Sequence, residues 1–207
     1  MAKYLESDCK RCRRYGVKLN LKGERCYTGK CAFEKRKTPP GMHTKAGKLS
    51  DYGLQLREKQ KLRYIYGVLE RQFRRYFENA AKKKGMTGFN LLLTLEFRLD
   101  NIIYLAGFMP SRKSARQIVL HNKVLVNGKK VNVSNYICKV NDVISINEKF
   151  KENKVLKEAV ELAKQRGHKN WLDVNYENLS IKILREPTRE EIDVPVNEQL
   201  IVELYSK

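Results

Sequence analysis

The segment LREKQKLRYIYGVLERQFRRYFENAAKKKG, Leu56 to Gly85, constrains the fold of this chain most strongly. Placed at about 100° per position, Leu62, Ile65, Tyr66, Leu69, Phe73, Tyr76, Phe77 and Ala80 fall in one arc, so the segment reads as an amphipathic helix. Ser50 or Asp51 is suited to cap its start, and Gly85 to end it. Arg57, Lys61, Arg63, Arg71, Arg74 and Arg75 fall on the opposite side. An ordinary surface helix mixes charge signs to make i,i+4 pairs. Here Glu70 and Glu78 dilute the basic face only slightly. Gly67 lies on the basic side, at about 1 kcal/mol in helix propensity, where it could let a phosphate backbone approach. A solvated face is the plainer reading of such a helix. The one-sided sign favours nucleic acid.

Whole-chain charge points the same way. The 207 residues carry 43 Lys and Arg against 23 Asp and Glu, a formal net charge of +20. An acidic partner is implied, either nucleic acid or an anionic membrane surface. Residues 1–95 hold net +16, residues 96–159 net +6 and residues 160–207 net −2. The partner surface is therefore expected in the first two thirds. No apolar run approaches the roughly 18 residues of a membrane span. No secretory signal pattern opens the sequence, which points to the cytosol or to an organelle that makes its own proteins.

In such a compartment disulfides are disfavoured, and close cysteine pairs read as metal ligands. Cys9, Cys12, Cys26 and Cys31 form C-x2-C-x13-C-x4-C in a stretch expected to be rich in loops. Two tight turns could aim four sulfurs at one point. Four thiolates suit one closed, tetrahedral, structural Zn2+ site with no position left for a water. An iron–sulfur cluster uses the same ligand set and stays open. Cys138 alternates within ICKVNDVISI and reads as a small core residue.

Further along, Glu34 to Lys48 is a basic linker by composition, and NLLLTLEFRLDNIIYLAG a second helical stretch. A short helix follows Pro110, with Ser111 as N-cap, and ends near His121. VLVNGKKV is a hairpin around Asn127-Gly128. YICKVNDVISI reads as another strand pair, Lys151 to Gly167 as a polar helix, WLDVNYENLSIKIL as strand, turn and strand, and NEQLIVELYSK as a final helix or strand. On the short helix, Arg112, Lys113, Arg116 and Lys123 share a basic arc opposite Ala115, Ile118 and Val119. His121 suits either that basic surface or the helix dipole. Such a surface reads duplex shape through phosphates. His43, His121 and His168 stand apart, with no triad or metal spacing. An RNA-modifying enzyme and a zinc-dependent DNA-binding regulator are the weaker competing classes.

The stretch EFRLDNIIYLAGFMPSRKSARQIVLHNKVLVNGKKVNVSNYICKVNDVISI resembles the small RNA-binding module named after the fourth small-subunit ribosomal protein. Pseudouridine synthases, some tyrosyl-tRNA synthetases and a heat-shock protein share that module. LSDYGLQLREKQKLRYIYGVLERQFRRYF resembles the N-terminal domain of the ribosomal protein family itself, and MAKY, WLDV and NEQLIVELYSK match it too. The resemblance, to the bacterial-type family, covers nearly the whole chain. It implies an α+β protein with a mainly helical N-terminal domain, a metal-bound arm and a small α+β module. The expected division is 1–48 arm and linker, 49–95 helical domain, 96–159 RNA-binding module, and 160–207 a segment packing back on the helical domain. The resemblance also implies a non-enzymatic role in the cytoplasmic ribosome. That role is early, direct binding of small-subunit ribosomal RNA, nucleation of the subunit body, contact with the fifth small-subunit protein, and an influence on decoding accuracy. Lys45 and Lys48 fall in the segment implied to meet incoming messenger RNA. Many members lack the four cysteines, so the metal is not essential to the family's RNA role.

Overall fold

A computed structural model describes residue 4, residues 6–42 and residues 47–206. The chain divides into two compact units, one of residues 1–92 with 193–207 and one of residues 93–192.

The first unit is helical. Its cysteine stretch is more ordered than a loop. It holds helix α1 (Asp8–Tyr15), a 3-10 turn (Gly23–Cys26) and the short α2 (Ala32–Lys35). Helix α3 (Asp51–Tyr66) follows, with the Ser50 hydroxyl accepting from the Gly53 N–H at 3.2 Å. The expected single helix then breaks. Gly67 sits in the left-handed region at φ 64°, and the Val68 N–H bonds the Arg63 carbonyl at 3.0 Å. This is the closure by which a glycine terminates a helix. Gly67 is therefore a stop between α3 and α4 (Glu70–Ala81), not an opening on a continuous face. The apolar arc holds on both sides of the break, since Leu62, Ile65, Tyr66, Phe73, Tyr76, Phe77 and Ala80 are all buried. Helix α5 (Thr87–Glu96) carries the boundary between the units.

In the second unit the expected second helix also breaks, into α5 and α6 (Leu99–Leu105). Arg98 is extended at the junction, and the Leu99 N–H turns to the Tyr136 carbonyl. The unit continues with α7 (Arg112–Leu120), β1 (Val124–Val126), β2 (Lys129–Lys130), β3 (Val143–Ile146), α8 (Glu148–Lys151), α9 (Lys154–Arg166), β4 (Leu172–Asn175) and β5 (Ser180–Ile183). The strands form one antiparallel sheet in the order β2-β1-β3-β5-β4. Asn127 and Gly128 both have positive φ, as a two-residue hairpin turn requires. The Asn127 side chain also accepts from the Val143 N–H at 2.9 Å and donates to Asp142 at 2.8 Å. The second expected hairpin, in YICKVNDVISI, does not form. Only β3 is a strand, and Ile137 makes an isolated bridge to Arg98. Asn141, at φ 71°, turns its N–H to Ile183, so β3 is delivered to β5 instead. One side of the sheet joins α6, α7 and α9 in a core that includes Ile102, Phe108, Val119, Ile144, Leu156, Trp171 and Ile181. Cys138 belongs to this core, and burial pushes its thiol far up.

The expected C-terminal segment 160–207 is divided by the fold. All of α9, and β4 and β5, lie in the second unit, because the centre of its sheet is a β3–β5 pairing. Only 193–207 belongs to the first unit, where α10 (Glu198–Tyr205) packs on α3.

Candidate nucleic-acid interface

On α4 the side opposite Phe73, Tyr76, Phe77 and Ala80 is exposed and bears Arg71, Arg74 and Arg75. Arg74 makes one i,i+4 pair with Glu78 at 3.2 Å, with both side chains largely in solvent. Such a pair holds at most about 0.5 kcal/mol and leaves the cation accessible to a phosphate. Lys82, Lys83 and Lys84 extend this exposed charge beyond the helix end. They are absent from the sequence-derived set, although a run of three lysines after an amphipathic helix was a usable signal.

On α3 the outward basic face predicted from the helical wheel does not exist. Lys61 and Arg63 are buried, at 8% and 7% exposure. Lys61 pairs with Glu58 at 2.6 Å and donates to the Pro195 carbonyl at 3.2 Å. Arg63 pairs with Glu70 and donates to Gln60 at 2.7 Å and to the Tyr4 hydroxyl at 2.8 Å. A wheel drawn on one helix has no knowledge of residues 195 or 4, which cover this side. Arg57 is half-buried. Its Nη2 donates to the Arg14 carbonyl at 2.8 Å and its guanidinium lies over Tyr15. It ties α1 to α3. Lys48 is exposed, and Lys45 lies outside the described residues.

In the second unit the Ser111 hydroxyl caps α7, accepting from the Ser114 N–H at 3.2 Å. Lys113 and His121 are exposed, and Arg116 and Lys123 are half-buried. Arg112 faces inward. Its Nε donates to Asn101 Oδ1 at 2.7 Å, and its guanidinium lies 4.4 Å from the Tyr104 ring centroid. Asn101 in turn donates to Glu96 Oε2 at 2.7 Å, and the adjacent Arg98 and Asp100 form a buried pair. The string EFRLDN thus builds a polar clamp that sets the start of α7. A basic residue in an outward arc and one anchoring a helix look alike in sequence. Lys129 and Lys130, exposed on β2, add cations to this unit's surface that the expected set did not include.

The four N-terminal cysteines are free thiols. Cys9 and Cys12 lie one turn apart on α1, Cys26 ends the 3-10 turn, and Cys31 stands immediately before α2. Cys12, Cys26 and Cys31 are buried and Cys9 is half-buried. Burial holds the Cys12 and Cys26 thiols above their ordinary value, and the neighbouring cysteines push the same way. The Lys22 N–H already points at Cys26 Sγ, at 3.4 Å. Even so, no group of three or more His, Cys, Asp or Glu side chains among the described residues has the geometry of a metal shell. The arm has a second anchor: the Arg11 guanidinium lies between the rings of Tyr4 and Tyr64, 4.5 and 4.4 Å from their centroids. Among the described residues no helix is long and apolar enough to cross a membrane.

A helical unit with exposed Arg and Lys on and beyond α4, and an antiparallel α+β unit with exposed Lys on and beyond α7, define a basic protein built to face a polyanion. The chain matches two family models: the ribosomal protein S4/S9 N-terminal domain over residues 3–96, and the S4 domain over residues 97–144. It is 57% identical, over the full length of both chains, to small ribosomal subunit protein uS4 of Thermodesulfovibrio yellowstonii. It is 55% identical to the protein of that name from Clostridium tetani and 54% identical to that of Syntrophus aciditrophicus, again over both full lengths. The chain belongs to the uS4 family of small-ribosomal-subunit proteins, which is a structural family and not an enzyme family.

Proposed function

We propose that this protein is a structural constituent of the small subunit of the cytoplasmic ribosome and binds small-subunit ribosomal RNA directly. The observation that carries the reading is the α4 surface. Three arginines stand outward on a helix whose opposite side is wholly committed to the core. Each phosphate they neutralise releases counterions, adding about −0.9 (duplex) or −0.7 (single strand) to the log–log salt slope of binding. Titrating small-subunit RNA and an unrelated structured RNA at several salt concentrations tests this. A steep slope and a preference for small-subunit RNA are expected. A flat response, or equal affinity for both RNAs, refutes it.

The resemblance supports a finer role: early binding that nucleates the subunit body, a contact with the fifth small-subunit protein, an influence on decoding accuracy, and proximity of Lys48 and Lys45 to incoming messenger RNA. Cross-linking from position 48 in assembled subunits tests the last of these. Adducts with messenger RNA are expected, and adducts confined to ribosomal RNA count against it.

Cys9, Cys12, Cys26 and Cys31 together are proposed to hold one structural Zn2+. The donor set supports it: four free sulfurs, three of them buried, in a stretch too short for its own core. When bound, the ion would supply cross-linking and no catalysis, because four protein ligands leave no open position. Elemental analysis of purified protein distinguishes zinc from iron with sulfide.

A further inference from the structure

The second unit contains a cleft of about 380 Å³ between the C-terminal half of α7 and the α8–α9 turn. Its walls are Met109, Ile118, Phe150 and Val155. Its polar lining is Ser114, Gln117, His121, Lys123 and, beside Phe150 and Val155, Asn153. Met109 and Ile118 are almost wholly buried, so the floor is part of the core, whereas Val155 remains 47% exposed. Small-ligand sites combine these features: an apolar pocket of a few hundred Å³ with a few polar groups at one side.

The rim decides the occupant. Lys123 and His121 bring cationic or hydrogen-bonding groups to one edge, and exposed Lys113 lies on the same helix. The segment containing the cleft, residues 96–159, is net +6. A neutral apolar ligand would gain nothing from that edge. A nucleotide matches it, with a flat base for the apolar slot beside Phe150 and a phosphate for Lys123. Single-stranded and looped RNA is bound in this way, by unstacked bases seated on aromatic side chains beside backbone-binding cations.

We propose that this cleft receives one unpaired, extruded base of the bound RNA, with its phosphate held at Lys123 and the Gln117 amide reading its edge. The proposal rests on the ribosomal-RNA reading above and adds to it a contact that senses a single unstacked nucleotide. It also gives α7 a role that its charge alone does not, because phosphate contacts position a protein on RNA while base contacts specify where.

Val155→Trp in the full chain fills the mouth of the cleft without changing charge, and Gln117→Trp does so from the opposite rim. Affinity for small-subunit RNA is measured by titration at several salt concentrations, and base exposure by chemical probing of the same complex. Expected for either variant is a loss of roughly 5- to 150-fold, the range for one base stack, with a salt slope flattened by no more than the about 0.7 of the single phosphate at Lys123. One nucleotide protected by the wild-type protein regains reactivity. Thermal unfolding of both variants verifies the fold, and the proposal stands if either folded variant gives this pattern. It is overturned if folded variants bind RNA as the wild type does with every protection intact. It is likewise overturned if RNA binding is intact and only incorporation into reconstituted subunits is lost, which assigns the cleft to a protein neighbour. If the wild type itself shows no preference for small-subunit RNA, the ribosomal-RNA reading fails first, and the two failures are distinguishable.

Discussion

The guanidinium of Arg63, near the end of α3, pairs with the carboxylate of Glu70, the first residue of α4, across the break at Gly67. Glu70 also accepts from Lys59 Nζ at 2.9 Å and from the Tyr205 hydroxyl at 2.8 Å. Four residues from three helices thus meet at one carboxylate, and Tyr205 is simultaneously stacked 4.6 Å from Phe77. This knot fixes α3, α4 and α10 while removing Lys59 and Arg63 from the surface.

Removing the carboxylate strands two buried cations. Glu70→Gln is expected to destabilise the first unit by about 2 kcal/mol. That lies below the roughly 3–5 kcal/mol of a fully buried pair because the Glu70 side chain is half exposed. Burial raises the Glu70 pKa, but hydrogen bonds from Lys59 and Tyr205 and the charge of Arg63 outweigh it, and the net shift is downward from 4.5. A depressed carboxyl contributes stability that is complete above its unfolded value and is lost as pH falls through the folded one. Urea unfolding between pH 6 and strongly acidic pH is expected to show a steeper acid loss for the wild type than for Glu70→Gln.

Gly67→Ala separates a helix stop from a phosphate-binding role. No atom lies within 4 Å of an added Cβ, so the cost is backbone strain alone. A loss of roughly 1 kcal/mol in unfolding free energy is expected, with RNA affinity unchanged. Lower affinity at unchanged stability would restore the glycine's surface role.

Charge reversal distinguishes surface cations from anchoring ones. Glutamate at Arg71, Arg74 and Arg75 is expected to weaken RNA binding, with the fold intact. The salt slope should flatten by about 0.7–0.9 for each phosphate that is no longer neutralised. Lys61→Met is expected to alter stability and leave the slope unchanged. Titrations at four or five salt concentrations with both variants are sufficient.

In the second unit, Arg112→Glu is expected to cost about 2 kcal/mol, because it removes the charge-assisted bond that Arg112 donates to Asn101 Oδ1. Lys113→Glu one residue on is expected to unfold with the wild type. Trp171, the single tryptophan and 1% exposed, reports this unit by its fluorescence.

The same tryptophan serves as a control for the arm. Because a metal takes the thiolate and burial holds the Cys12 and Cys26 thiols above their ordinary value, zinc uptake is expected to release protons and to tighten as pH rises. Calorimetry in buffers of different ionisation enthalpy measures the release. Chelation is expected to increase proteolysis between residues 9 and 37 without changing Trp171 emission. A global loss of structure on chelation contradicts an arm-only metal.

What the sequence determined by itself is local. A Ser111 cap, an Asn127-Gly128 turn and an apolar arc on α4 each depend on neighbours within a turn or two, and each stands in the structure where the residues predicted it. The charge excess of the first two thirds was equally legible, since charges simply add. Tertiary structure decided which cations face solvent. Lys61 is covered by the Pro195 carbonyl, 134 residues away, and Arg63 by Tyr4, 59 residues away. It also decided that 160–192 completes the second unit's sheet while 193–207 returns to α3, because β5 needed β3 as a ladder partner and α10 needed an apolar face. A helical wheel gives each side chain a direction. Only the packed chain determines whether water or another residue lies there.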